Sequence, residues 1–363
     1  MEVIWELFQE NNQSNDKICI CVNFQNILYF CTVIIHSNPM INYLTTTFAG
    51  LSLPNPIIIA SSGLTDTAEK NKELEKAGAG AIVLKSIYEE QIEIQTKVTA
   101  QMPPQNCDIY QNIEKGVQIA DYLNLIKETK KHCKIPVIAS IICHKAGDWI
   151  NFVRQIEMTG ADAIELNILA LCSENDGYNN FLERLYIQIT EKVKALISIP
   201  VFIKVNKYFS HLVQLATDLY ATGVNGIVLF NRFYQPDIDI NKLQIHSGDV
   251  FSFSADIADT LRWTPIIKNK LPNLSIAACT GVHDWESIIK CILSGASAVE
   301  ICSTVYQNGN EIISVMKRGI EEWMNIMNFR SIQEFQGKLD MVCLADPSLH
   351  ERNQFRKYFT ERD

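Results

Sequence analysis

Several familiar signatures are missing from these 363 residues. There is no CxxC pair and no Cys/His cluster, so the 11 cysteines spell neither a zinc site nor a disulfide framework. Reduced, mostly buried thiols in a cytosolic protein fit that scatter better. No GxGxxG and no Walker A segment occurs, which counts against nucleotide sites of those two kinds. Positive charge is scarce. Lys plus Arg number 32 against 41 Asp plus Glu, a net charge of -9, and no basic block interrupts the chain. A nucleic-acid surface therefore has little support. Long apolar runs are missing too. The longest, Ile18 to Ile35, is broken by Asn23, Gln25 and Asn26 and falls short of the about 20 residues a spanning helix needs. A signal peptide is unsupported, because Glu2, Glu6 and Glu10 make the start acidic and no A-x-A site follows. What remains, 47% hydrophobic and 20% charged residues, is the composition of an ordinary folded domain.

Residues 1–39 read differently from the rest. They suit either an extra strand or helix docked on the domain, or an upstream region translated from a misplaced start, with Met40 a plausible true start. The domain is placed at 40–345. The charged tail 346–363 reads as a surface helix or an oligomer contact.

From Leu53 onward one phrase recurs: Ala77-Gly78-Ala79-Gly80-Ala81-Ile82-Val83-Leu84, then Thr159 to Leu166, Thr222 to Leu229 and Ser294 to Ile301. In each copy Gly suits the left-handed turn that ends a helix, and the apolar run suits a strand buried on both faces. A second phrase alternates with it: Asn55-Pro56-Ile57-Ile58-Ile59, Ile135 to Ala139, Ile199 to Ile203, and more weakly Leu274 to Ala278. Pro just before a strand costs no ladder hydrogen bond. Eight short strands separated by helical periodicity predict an α/β fold, a closed (β/α)8 TIM barrel, with an open doubly wound sheet as the alternative.

Barrel chemistry gathers where the strands end. The strand exits here carry Ser61, Lys85 with Ser86, Ser140, Asn167, Lys204, Asn231 with Arg232, Thr280 with Gly281, and Ser303 with Thr304. A lone buried ammonium is costly unless paired, so apolar strands ending in Lys, Asn, Lys and Asn ask for a ligand. Backbone N–H groups after strands seven and eight suit a phosphate, and the lysine and asparagine ring suits a flavin mononucleotide, FMN. Lysine beside its pyrimidine edge stabilises the charge that builds there on reduction. A Schiff-base lyase using Lys204 or Lys85, with desolvation lowering the lysine pKa, stays open.

Taken together, Leu53-Pro54-Asn55-Pro56, Leu84-Lys85-Ser86, Gly160 to Asn167, Ile203-Lys204-Val205, Leu229 to Asp239 and Ile332 to Leu339 resemble the dihydroorotate dehydrogenase family. The likeness is to its soluble class 1 branch, and within it to a bacterial dihydroorotate dehydrogenase-like subgroup. The resemblance implies an FMN-containing barrel that oxidises dihydroorotate to orotate in pyrimidine biosynthesis. It also implies a cytoplasmic protein, a homodimer by analogy with soluble relatives, and a small-molecule substrate. By matched position, Lys85 and Lys204 would touch the flavin, and Ser61, Ser86 and Ser140 would line its pocket. Asn167 and Asn231 would hold flavin or substrate. Thr280, Gly281, Cys302 and Ser303 would cradle the phosphate.

Three departures stand out. The family's base slot, three residues beyond Asn167, holds Ala170, and Cys172 or Ser173 replaces it only if the loop is displaced. That leaves a different substrate, or a degenerate barrel that binds without redox turnover, as further readings. The stretch Tyr88 to Ile113 lacks an Asn-Ser-Met-Gly-like grip on a substrate carboxylate. Glycines expected at the phosphate end are replaced, giving Thr280-Gly281 and Cys302-Ser303. His144, His211 and His283 lack the spacing of a metal site and read as loop or cap residues. The excursion from Arg232 to Ser254 is predicted to be a lid, its Asp237 and Asp239 either solvated or holding an amine.

Overall fold

A computed structural model describes residues 17–24, 27–34, 43–97, 118–170 and 181–340. The chain divides into two compact units, Met1–Asn42 and Tyr43–Asp363. The first holds an antiparallel hairpin, Lys17–Phe24 with Ile27–Ile34.

The second unit is the barrel. Its strands are β1 (Ile57–Ile59), β2 (Ala81–Val83), β3 (Val137–Cys143), β4 (Ala163–Ile168), β5 (Val201–Val205), β6 (Gly226–Leu229), β7 (Ser275–Cys279) and β8 (Ala298–Ile301). Each pairs in parallel with the next, and β8 pairs with β1, so the sheet closes. This is the (β/α)8 barrel expected from the alternating phrases. All eight strands are fully or almost fully buried, because helices cover the outside and side chains fill the inside. The predicted glycine turns are present: Gly78 and Gly160 end α1 (Ala68–Ala77) and a later helix, Phe152–Thr159, at φ 106° and 95°.

The strand period of two sorts the core into layers. Ile57 and Ile59 face the helices, with Leu74, Ile82 and Ile126. Ile58, Ala81, Val83, Ile138, Ala163, Phe202, Val228, Ala277 and Ala298 face inward. A short hairpin, Thr46–Phe48 with Leu51–Leu53, supplies Phe48, Ala49 and Leu53 to that inner cluster. Phe48 meets Phe202 edge-on at 5.0 Å between ring centroids. Gly226 lies against this plug. A Cβ there would sit 3.2 Å from the Phe48 ring and 3.0 Å from the Ser275 carbonyl, so the backbones approach closely only without one.

Candidate active site

The mouth of the barrel carries a cavity of about 190 Å³. Of the residues named from sequence, Ser61, Lys204, Asn231, Thr280, Gly281, Cys302 and Ser303 line it, joined by Glu300. Ser86 and Ser140 stand behind Ser61 in a hydroxyl chain: Ser61 Oγ to Ser86 Oγ is 2.8 Å and Ser86 Oγ to Ser140 Oγ is 2.7 Å. Asn231 Nδ2 donates to Asn167 Oδ1 at 2.8 Å. Three strand exits thus share one wall, and the two asparagines share another.

Lys85 is placed differently from expectation. Its backbone N–H is bound to the Thr65 carbonyl at 3.2 Å, and its side chain is exposed, outside the lining of the cavity. Ala170 is half-buried and packs against the core. Cys172 and Ser173 lie outside the described residues, as do residues 98–113 of the stretch that lacks the carboxylate grip, and the tail.

Lys204 is a buried polar group of the lining. Its Nζ is 2.7 Å from Glu300 Oε2 and 3.9 Å from Glu165 Oε1, and both glutamates are almost fully buried. Neither glutamate was singled out from sequence. The signal was present: counting by twos from inward Ala163 and Ala298 puts Glu165 and Glu300 inside the barrel, level with Lys204. Burial opposes the charge on Lys204, but its acidic surroundings, with Glu300 in hydrogen-bond contact, outweigh it and hold its pKa well above the ordinary range. A Schiff-base lysine needs the opposite shift, so the lyase reading loses its support.

At the far end, Thr280 sits at φ 73° and Gly281 at φ 83°. The first is unusual for a β-branched residue, and Thr280 Oγ1 donates to the Phe230 carbonyl at 2.9 Å, which helps hold it. Gly281 has no room for a side chain: a Cβ would lie 2.2 Å from the Ile257 nitrogen. Cys302 precedes the short helix Ser303–Asn308, whose first turn offers N–H groups to an anion. Ser303 also receives the end of the excursion 232–254. Ser252 N donates to Ser303 Oγ at 3.0 Å, and Ser252 Oγ lies 3.0 Å from His283 Nε2. His283, read as a loop residue, therefore belongs to this corner.

The excursion 232–254 carries a hairpin, Pro236–Asp239 with Gln244–Ser247. Arg232 fastens its base by donating from Nη1 to the Asp249 and Val250 carbonyls and from Nη2 to Gln235. Asp239 accepts from the Asn241 and Lys242 backbone at 3.0 Å each, so it shapes a turn. Asp237 is exposed, with His246 3.6 Å away.

His144 follows β3 and meets Glu89 at 2.7 Å and Glu90 at 3.3 Å, both from the start of α2 (Glu89–Lys97). These three groups lie within 4.8 Å of one another, a grouping that sequence spacing conceals. Glu89 Oε2 also accepts from the His144 and Lys145 backbone. The histidine therefore acts as more than a loop filler. It faces a buried carboxylate. His211 occupies the N-cap position of the helix Leu212–Ala221.

A family model described as dihydroorotate dehydrogenase matches residues 43–324. The chain belongs to that family. It is 27% identical over 302 residues to a protein of Thermoplasma volcanium named dihydroorotate dehydrogenase B (NAD(+)), catalytic subunit, covering 81% of this chain and 97% of the relative. A protein of the same name from Pyrococcus furiosus is 27% identical, with 81% and 97% covered. A putative dihydroorotate dehydrogenase A (fumarate) of Aeropyrum pernix is 24% identical, with 81% and 96% covered. The chain is thus an oxidoreductase of the dihydroorotate dehydrogenase kind, in a family of FMN-dependent flavoproteins. The cavity fits that cofactor on its own terms: a floor with an ammonium, a wall of hydroxyls, and a glycine corner where backbone can approach a phosphate. Among the described residues no helix is long and apolar enough to cross a membrane.

Proposed function

We propose that this dihydroorotate dehydrogenase-like enzyme uses FMN to oxidise a small cyclic substrate for which dihydroorotate is a poor fit. Ala170 carries the reading. Alanine takes no proton, and general base catalysis is worth roughly 10²–10⁴-fold. Bound in the cavity, FMN supplies the hydride acceptor. Around it, Ser61, Ser86 and Ser140 supply donors or acceptors as needed, because each hydroxyl rotates. Lys204 anchors the floor, and Thr280, Gly281, Cys302 and Ser303 hold the phosphate. The Asn167–Asn231 pair leaves the Asn167 amino group as donor and the Asn231 carbonyl as acceptor for a substrate. The family's place in pyrimidine biosynthesis passes to this chain only with dihydroorotate itself as substrate.

The relatives' names give NAD(+) in two cases and fumarate in the third, so they support no single electron acceptor here. Free cysteines support a cytoplasmic setting. For assembly we favour a homodimer. The lid hairpin presents Ile240, Leu243 and Ile245 at 78%, 85% and 74% exposure, an apolar set that a second copy would cover.

The test is direct. Purified protein is expected to be yellow, to release FMN on denaturation, and to be reduced only slowly by dihydroorotate under anaerobic stopped flow. Ala170→Cys should speed that reduction by about 10²-fold or more. A colourless protein that ignores added FMN would overturn the reading, and so would wild-type reduction as fast as the variant's.

A further inference from the structure

Glu165 on β4, Lys204 on β5 and Glu300 on β8 bring two carboxylates and one ammonium into a buried layer of the barrel. With every group ionised the layer would hold an unmatched negative charge. The neighbours do not relieve it. Burial keeps the Cys279 thiol on β7 neutral, pushed up to about 12, and also raises Cys302. Ser140 faces Glu165 from β3 and carries no charge. Arg232, the other cation of the cavity lining, is held by Asp249, Val250 and Gln235.

Hydrogen bonding makes the same demand. Glu165 Oε1, Glu165 Oε2 and Glu300 Oε1 are buried without a donor. Two facing carboxylates cannot bond each other unless one carries a proton. Distance says which. Glu300 Oε2 holds the lysine at 2.7 Å, whereas Glu165 stands off at 3.9 Å. Burial and the Glu300 charge both drive Glu165 toward its protonated form.

We propose that the three side chains form a charge-neutral triad that tunes the bound flavin: Lys204 positive, Glu300 negative, and Glu165 protonated as the bridging donor. Lys204 then gives a flavin in the cavity little net positive charge, because Glu300 already matches it. Negative charge building on the ring is stabilised less than by an unmatched lysine. The inference rests on the flavin reading above, and its test separates the two.

Sulfite is the probe. It adds reversibly to N5 of oxidised flavin, forming an S–N bond and leaving the electron pair as negative charge on the N1–C2=O edge. Its dissociation constant, read from bleaching of the visible band, reports positive charge near that edge without turnover. Glu300→Gln combined with Glu165→Gln, which keeps Glu165 from ionising in place of Glu300, unmasks Lys204 and should tighten sulfite binding by about tenfold or more. Glu165→Gln resembles the protonated acid and should shift it by less than about threefold. Infrared spectra of flavin-free protein supply an independent arm. Wild type should show the C=O stretch of a protonated carboxylic acid between pH 6 and 8, and Glu165→Gln should lose it. This arm stands even where the double variant fails to fold or flavin fails to bind, and the latter failure would count against the flavin reading alone. Absence of that band, or sulfite tightening equally in the double variant and in Glu165→Gln, overturns the triad.

Discussion

Position 281 tolerates nothing larger than hydrogen. Gly281→Ala would set a Cβ 2.2 Å from the Ile257 nitrogen and 2.8 Å from the Asp256 carbonyl carbon, on a backbone already at φ 83°. Both partners are main chain and cannot swing aside. The substitution should cost more than about 2 kcal/mol in urea unfolding and weaken FMN retention. Its neighbour can be varied gently: Thr280→Val keeps the shape, loses the bond to the Phe230 carbonyl, and should cost about 1 kcal/mol. The buried thiols behave as apolar filling. Burial raises Cys133 to about 11 and Cys279 and Cys291 to about 12, so native protein at pH 8 should leave all three unmodified by a disulfide reagent. Most of the polar lining is legible in the sequence because polar residues stand out at the ends of apolar strands. Glu165 and Glu300 are not, because both sit inside the phrases that mark the strands, where attention to the apolar run hides the alternation beneath it. Lys85 is misplaced by the same reasoning, since a strand exit fixes where a Cα lies and leaves a long flexible side chain free to turn outward.

Among the elements, β3 depends on an unusual brace. Tyr122 of the helix Ile119–His132 places its hydroxyl on Ser140, accepting from the backbone N at 2.7 Å and donating to the carbonyl at 2.9 Å. The brace sits where β2 has ended and the serine chain begins. Tyr122→Phe strands two buried backbone groups and should cost about 2 kcal/mol, measured by denaturant midpoint. A second tie joins the helix Phe152–Thr159 to the start of β5. Glu157 Oε1 accepts from the Ser198 hydroxyl at 2.6 Å and from the Ser198 and Ile199 nitrogens at 2.8 and 3.1 Å. The Ser198 hydroxyl bond leads in pulling its pKa below the ordinary carboxylate value. A lowered folded value means that the contribution is present above the unfolded pKa and fades as pH falls through the folded one. Glu157→Gln should therefore flatten the acid limb of a stability profile below about pH 4.5 and change its shape little at pH 7. The eight strands were legible because burial on both faces writes continuous apolar runs. The plug at 46–53 and the helix Glu89–Lys97 were not. The first is too short for a period to register, and the second folds around a buried Glu89 whose partner, His144, comes 55 residues later.

At the scale of the molecule, the barrel unit Tyr43–Asp363 has its own core, and the chain Met40–Asp363 should melt within a few degrees of the full protein. The lid hairpin sets the expected assembly. Light scattering should give twice the chain mass for wild type and one chain mass for the double variant Leu243→Glu, Ile245→Glu, with helix content by circular dichroism unchanged. The plug formed by Phe48, Ala49 and Leu53 has a kinetic meaning. It stops one end of the barrel, and among the described residues the doorway of the cavity lies at the strand exits. A small-molecule reductant and a small-molecule oxidant that share that doorway would take turns there. Double-reciprocal plots at several oxidant concentrations should run parallel, the signature of a two-stroke engine that empties its chamber before refilling it.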